Sequence, residues 1–284
     1  MVIKNRLAVI LLSLLSAVFV SCYGSWNPFD PDNDVANRTG KLKDISDELP
    51  AKIITSSGKY TVLVFTDLHY GSSRSDTPED ELFEWLDLLK GTPKMPAFAI
   101  SLGDSADTGS QNEYDLYLEF CEKLKKRYDL EVLNVPGNHD LYQSHWENWK
   151  KNCFPHKSFY CFRTDKFSWY ALDTASGSLG LDQYDELKKA MDRDSNPKIV
   201  YTHYPILEYF VVGGLPDMIE RNLLVDLFVK NNVKCSLGGH LHYAASDSIG
   251  DYDEYLLPSF RMKDAWTLVT VDEAAEKVSI EIID

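Results

Sequence analysis

The sequence predicts an α/β fold, because short apolar runs alternate with amphipathic helical segments from about residue 60 onward. The end of the chain is instead rich in apolar runs separated by turn signals, which indicates a mixed sheet or a pair of packed sheets. The composition is globular, with 284 residues of which 44% are hydrophobic and 26% charged. This excludes disordered, collagen-like and disulfide-framework proteins, and the length suits one large α/β domain or two small ones.

Five runs rich in Val, Ile, Leu and Tyr predict strands that are buried on both faces. They are residues 60–66, 97–102, 131–135, 198–202 and 233–237. Four intervening segments have helical spacing, with acidic residues early and Lys or Arg late, as the helix dipole favours. They are residues 78–90, 112–127, 182–191 and 219–230. The strands predicted at the end are 255–257, 265–271 and 277–283.

The net charge limits the classes of partner. The chain has 29 basic and 44 acidic residues, which gives a formal charge of −15 at pH 7. This charge argues against a general surface for nucleic acid or for anionic membranes. An anionic substrate would therefore need a local positive source, and a bound metal cluster is the natural one.

The N-terminus predicts a signal peptide at residues 1–21. Lys4 and Arg6 precede an apolar stretch, and no acidic residue occurs before Asp30. The apolar stretch, residues 7–20, is shorter than the roughly 20 residues that cross a bilayer, so a permanent anchor is the weaker interpretation.

The sequence Phe19-Val20-Ser21-Cys22 resembles a bacterial lipobox, so we expect an exported chain with a lipid on Cys22 in the cell envelope. An ordinary signal peptide cut nearby is the alternative. Residues 22–50 are rich in Pro, Gly, Asp and Asn and predict a tether, which leaves 51–284 as the folded domain.

Four further cysteines have no functional signal. Export would permit a disulfide between Cys153 and Cys161, whereas Cys121 and Cys235 lie among apolar residues and predict buried thiols. Buried thiols are the alternative for the first pair as well. No C-x-x-C pair indicates a thiolate metal site.

Potential metal ligands follow each of the five predicted strands, and in open α/β sheets ligands bind beyond the carboxyl ends of the strands. The five blocks are Asp67-Leu68-His69, Gly103-Asp104, Gly137-Asn138-His139-Asp140, His203 and Gly239-His240-Leu241-His242. One such residue in a turn carries little information, but five in order at strand ends predict a metal site. Carboxylate, amide and imidazole donors suit Mn, Fe or Zn, and the absence of nearby thiolates disfavours a structural zinc site.

These blocks resemble the calcineurin-like metallophosphoesterase family, whose ordered pattern is D-x-H, G-D, G-N-H-D/E, H and G-H-x-H. The resemblance implies a four-layer α/β/β/α sandwich of two mixed sheets, holding two divalent or trivalent metal ions. It assigns Asp67, His69 and His242 to one ion and Asn138, His203 and His240 to the other, with Asp104 bridging both. Two such ions activate a bridging hydroxide for in-line attack on phosphorus. The expected activity is therefore phosphomonoester or phosphodiester hydrolysis of a small phosphorylated substrate.

The resemblance leaves His139 free of metal and makes it the general acid beside the phosphoryl group. Asp107 matches a family acid that orients this histidine, although a turn or helix-cap residue is the alternative. Phosphoprotein phosphatases of the family have Arg at the position of Thr108. Purple acid phosphatases have an iron-binding Tyr at the position of Asp107. Phosphoprotein hydrolysis of that type is therefore disfavoured, and a tyrosinate-bound iron is not expected.

A second hypothesis is a surface-tethered binding lipoprotein that keeps the fold without hydrolysis. Cys22 and the acidic tether motivate it, and the complete ligand set argues against it. The measured metal content would distinguish the two hypotheses. Arg74, Tyr142 and residues 204–214 follow the ligand blocks and are expected to shape the pocket. The alternatives are a solvated Arg74 and a 204–214 loop that folds on the core.

Overall fold

The computed structural model describes residues 34–73, 77–207 and 213–284. The helices of these residues are α1 (Val35–Thr39), α2 (Ala51–Ile54), α3 (Glu79–Leu89), α4 (Gln111–Tyr128), α5 (Trp146–Asn152), α6 (Leu181–Met191), α7 (Met218–Lys230) and α8 (Phe260–Lys263). The strands are β1 (Lys43–Asp44), β2 (Lys59–Phe65), β3 (Ala99–Ser101), β4 (Val132–Asn134), β5 (Tyr160–Arg163), β6 (Ser168–Ala171), β7 (Lys198–Tyr201), β8 (Val233–Gly238), β9 (Ala245–Ile249), β10 (Tyr252–Leu256), β11 (Trp266–Asp272) and β12 (Lys277–Ile283). Short 3-10 segments cover Ser46–Glu48 and His139–Ser144.

The strands form two mixed sheets, as the sequence predicts. One sheet has the order β1-β5-β6-β7-β8-β10-β9, and the other has the order β12-β11-β2-β3-β4. Adjacent strands are parallel from β2 through β3 to β4 in the smaller sheet, and from β6 through β7 to β8 in the larger one. The carboxyl ends of these parallel strands therefore carry neighbouring loops.

Side chains alternate between two cores along β2. Val62 and Val64 face the core between the two sheets, where they join Trp169 and Ile199 of the larger sheet. Leu63 and Phe65 face the opposite way, into the core that the smaller sheet forms with α3 and α4. A third core packs α6 and α7 on the outer face of the larger sheet. These cores define four layers, helix, sheet, sheet and helix, and confirm the predicted architecture.

The predicted tether is wrong over residues 34–50. There α1 packs on the domain, and the Arg38 guanidinium pairs with the Asp173 carboxylate at 2.8 Å, with both side chains fully buried. Ile45 is fully buried and Leu49 is 7% exposed, so these isolated apolar residues anchor a segment whose composition resembles a linker. The signal peptide, Cys22 and the rest of the tether lie outside the described residues.

Cys121, Cys153, Cys161 and Cys235 are free thiols, so the disulfide considered from the sequence is not formed. Within the described residues, no helix has both the length and the apolar character needed to span a membrane.

Candidate metal centre

The five loops that carry the predicted ligands meet at one edge of the sandwich. The Asp67 amide donates to the Gly103 carbonyl at 3.0 Å, which joins the loops after β2 and β3. The His203 ring donates from Nδ1 to the Leu102 carbonyl at 2.9 Å, which joins the loop after β7 to the other sheet. The two sheets thus bring their ligand loops into direct contact.

All seven predicted ligands lie in this contact region. Three groups of donor atoms among the described residues have all members within 4.8 Å of one another, and Asp104 belongs to two of them. The first is Asp67, His69, Asp104 and His242, and the second is Asp104, His203 and His240. The third, His69, Asp107 and His139, borders the first. Asn138 joins the second group, because its Oδ1 lies 3.1 Å from His203 Nε2. The arrangement suits two metal ions that share one carboxylate.

Most of these residues have a left-handed backbone. The φ angles are 56° at Asp67, 47° at His69, 52° at Asp104, 69° at His240 and 61° at His242. Such angles are uncommon outside glycine, although Asp, Asn and His tolerate them best. They cost free energy that the surrounding structure must supply, and they are concentrated at functional sites. The turns let residues two apart in sequence point at the same place.

Two glycines of the blocks permit a close approach between loops. A Cβ on Gly137 would overlap Asp104 Oδ1, and one on Gly103 would overlap the Gly137 backbone. Space thus requires glycine at both positions, and φ of 101° at Gly103 also favours it. Because neither glycine has a side chain, the loops after β3 and β4 pack closely, and the Asp104 carboxylate lies against the third block.

The electrostatics of the metal-free cluster leave the carboxylates available as ligands. Burial raises the pKa of Asp67 and Asp104, but hydrogen bonds and positive charge from His242 and His203 hold both pKa values below their usual range. Burial and the charge of His203 lower the pKa of His240 to about 4, so its ring is neutral. Burial would lower the pKa of His203, but the charge of Asp104 raises it to about 9.

The donor set fits metal ions. The buried Asp67 Oδ1 makes no hydrogen bond of good geometry in the described residues, and Nε2 of His242, another predicted ligand, lies 3.2 Å from it. Asp67 and Asp104 are ionised, and the neutral ring of His240 has a lone pair to offer. Metal binding would have to displace the proton of His203, as is usual for imidazole ligands.

His139 lies at the edge of the cluster, and its ring orientation is defined. Its Nδ1 lies 2.7 Å from the main-chain carbonyl of Asp107. A carbonyl only accepts, so Nδ1 carries the hydrogen, and Nε2 lies 3.4 Å from the Tyr142 hydroxyl. The Asp107 carboxylate is 4.0 Å from this nitrogen, so the expected carboxylate contact is replaced by a main-chain one. The main-chain oxygen of Asp107 is 2.7 Å from Nδ1 and its carboxylate oxygen 4.0 Å, so the main-chain oxygen is the acceptor.

An open cleft of about 340 Å³ adjoins His139. His69, Asp107 and Arg261 also line it. The Tyr142 ring packs over His139 with a centroid distance of 4.4 Å, and Tyr204 stacks on His240 at 3.9 Å. Both tyrosines thus border the cluster, as the sequence predicts, whereas Arg74 and residues 208–212 lie outside the described residues.

Two further residues support the site without belonging to the predicted ligand set, and for Asp140 the sequence left open a supporting role or a turn. Asp140 is fully buried, and its carboxylate accepts from the Gly137 and Ala106 amides at 2.9 and 3.1 Å and from the Tyr114 hydroxyl at 2.9 Å. The sequence placed Asp140 in the third block but did not show that it links two loops. Arg261 donates to the Leu68 carbonyl at 2.8 Å, and no sequence block contains it.

Comparisons with known proteins agree with this geometry. The family model for calcineurin-like phosphoesterases matches residues 60–244. A dimetal phosphatase from Danio rerio is 12% identical, with 80% of this chain and 96% of that chain covered and a TM-score of 0.61. The Plasmodium protein GAP50, described as an anchor in the inner membrane complex, is 14% identical, with 80% and 85% covered and a TM-score of 0.62.

A search of the curated proteins found no match. At these identities the solved structures show a shared fold. The family model, in contrast, covers more than half of the chain and spans all the blocks from Asp67 to His242. The chain therefore belongs to the calcineurin-like phosphoesterase family.

Proposed function

We propose that the protein is a metal-dependent phosphoester hydrolase. The observation that carries this proposal is the pair of donor groups that share the Asp104 carboxylate beside an open cleft. The fold that the chain shares with a dimetal phosphatase supports it. When bound, Mn, Fe or Zn ions would supply Lewis acidity and an activated water. Within residues 34–73, 77–207 and 213–284, no observation favours the alternative of a binding protein without hydrolysis.

The chain's own residues position the substrate and move one proton. A phosphoryl group that enters the cleft meets His139, which lines it and whose Nδ1 is held by the Asp107 carbonyl. A protonated Nε2 donates to the leaving oxygen, which then departs as an alcohol or phenol. Tyr142 keeps the ring in place, because its hydroxyl lies 3.4 Å from His139 Nε2 and 3.4 Å from Asn138 Nδ2.

The first test is turnover by the purified domain after loading with Mn²⁺, Fe²⁺ or Zn²⁺ in turn. We expect hydrolysis of p-nitrophenyl phosphate or of bis(p-nitrophenyl) phosphate, and the preferred ester decides between monoesterase and diesterase. His139→Gln should lower kcat for phenyl phosphate, which needs a protonated leaving group, by about 100- to 10,000-fold, the range typical of a general acid, with unchanged metal content. Absence of turnover of both esters with all three metals would refute the proposal.

We also propose that the chain is exported and lipid-anchored at Cys22. The charged and apolar order of residues 1–21 and the lipobox-like Ser21-Cys22 support this proposal. Full-length protein should partition into the detergent phase of a phase-separating detergent, and Cys22→Ala should move it to the aqueous phase. Equal partitioning of the two proteins would contradict the lipid anchor and leave the hydrolase proposal untouched.

A further inference from the structure

The two ring nitrogens of His69 have different surroundings. Nε2 lies 3.8 Å from Asp104 Oδ2 and 3.4 Å from His242 Nε2, inside the first donor group. In the proposed metal centre, on which this inference rests, Nε2 is therefore the atom that binds metal. Nδ1 must then carry the hydrogen, and a buried N–H needs an acceptor.

Nδ1 of His69 is buried and makes no hydrogen bond of good geometry within the described residues. A carboxylate oxygen, Asp107 Oδ1, lies 3.3 Å from it. The geometry points to the Asp107 side chain as the positioning group for the metal ligand His69. Metal-bound imidazoles commonly donate their second N–H to such a carboxylate, which fixes the ring and raises its basicity.

The main chain of Asp107 serves a different histidine. Its carbonyl accepts from His139 Nδ1 at 2.7 Å, whereas its carboxylate is 4.0 Å from that atom. The Asp107 amide donates to the Tyr70 carbonyl at 3.0 Å, so the backbone is held independently of the side chain. One residue thus supports both functional histidines, the metal ligand by its carboxylate and the proton donor by its carbonyl.

This division of roles is testable by removing the side chain alone. Calorimetric titration of metal-free protein with Mn²⁺ should resolve two classes of site in the wild type. Asp107→Ala should weaken one class by about 10- to 100-fold, as the loss of a carboxylate behind a metal-bound imidazole does, and leave the other unchanged. Asp107→Asn should weaken the same class less, because its amide oxygen still accepts a hydrogen bond. The unchanged class is the internal control for folding.

A second readout separates His69 from His139. Phenolate is a poorer leaving group than p-nitrophenolate. Loss of proton donation therefore slows the hydrolysis of phenyl phosphate more than the hydrolysis of p-nitrophenyl phosphate. At saturating Mn²⁺ we expect Asp107→Ala to keep the wild-type ratio of the two rates. A changed ratio, or unchanged Mn²⁺ affinity in both classes, would overturn the inference. If wild-type protein bound no Mn²⁺, Fe²⁺ or Zn²⁺, the proposed function would fail with it, which is a distinct result.

Discussion

Asp104→Asn is expected to abolish hydrolysis and to leave at most one metal ion per chain. Asp104 Oδ2 lies 3.4 Å from His203 Nε2 and belongs to both donor groups, so an amide nitrogen there removes the shared ligand. We expect kcat to fall at least about 1,000-fold, which corresponds to about 4 kcal/mol in the activation barrier. Metal content by atomic emission and turnover of p-nitrophenyl esters measure the two effects.

Asparagine is the matched substitution at this position. Asp104 Oδ1 accepts from the His139 amide at 2.8 Å, and the amide oxygen of Asn preserves that bond. Asp247→Asn, on the exposed strand β9, is the control for loss of one negative charge. A variant with two metal ions and wild-type turnover would show that Asp104 is not the shared ligand.

Arg38→Ala is expected to lower the free energy of unfolding by about 3–5 kcal/mol, the range for breaking a buried ion pair. The substitution leaves the Asp173 carboxylate fully buried and without its cation. The Arg38 side chain also donates to Ser176 Oγ at 3.0 Å, so α1 loses its attachment to the loop after β6. Urea denaturation followed by tryptophan fluorescence measures the change.

The control for Arg38 is an exposed ion pair. Lys94 and Glu281 lie 3.2 Å apart with both side chains more than half exposed, so Lys94→Ala should leave the unfolding midpoint unchanged. Arg38→Met combined with Asp173→Leu should recover part of the loss, because no charge remains buried. If Arg38→Ala left the unfolding midpoint as unchanged as Lys94→Ala does, residues 34–50 would contribute little to stability, as expected of a tether.

The sequence predicted the central elements because their signal is local. The strands at 60–66, 97–102, 131–135, 198–202 and 233–237 are continuous apolar runs, and the structure places each within two residues of those bounds. The blocks of candidate ligands followed from the same signal, since each begins just after a predicted strand, whereas their assignment to two ions came from the family resemblance. Neither inference needed to know how the two sheets pack.

Elements defined by tertiary contacts escaped prediction. Strand β9 has the polar, mostly exposed sequence ASDSI and is a strand because it pairs with β10. The helix α1 is held by Arg38 on Asp173, which is 135 positions away in sequence. The acids Asp107 and Asp140 are both turn residues beside ligand blocks, and the sequence alone does not distinguish the half-exposed one from the buried one.

The ligand loops have a mechanical consequence for the whole sandwich. Each donor group combines side chains that follow strands of the smaller sheet, such as Asp104, with side chains that follow strands of the larger sheet, such as His203 and His242. Bound cations would therefore cross-link the two halves of the molecule. By linkage, a cation that binds only when the two sheets are packed together stabilises that packing. Substitutions that loosen the packing between the sheets would weaken cation affinity in return. Packing in the inter-sheet core, to which Trp169 belongs, would thereby contribute to cation affinity.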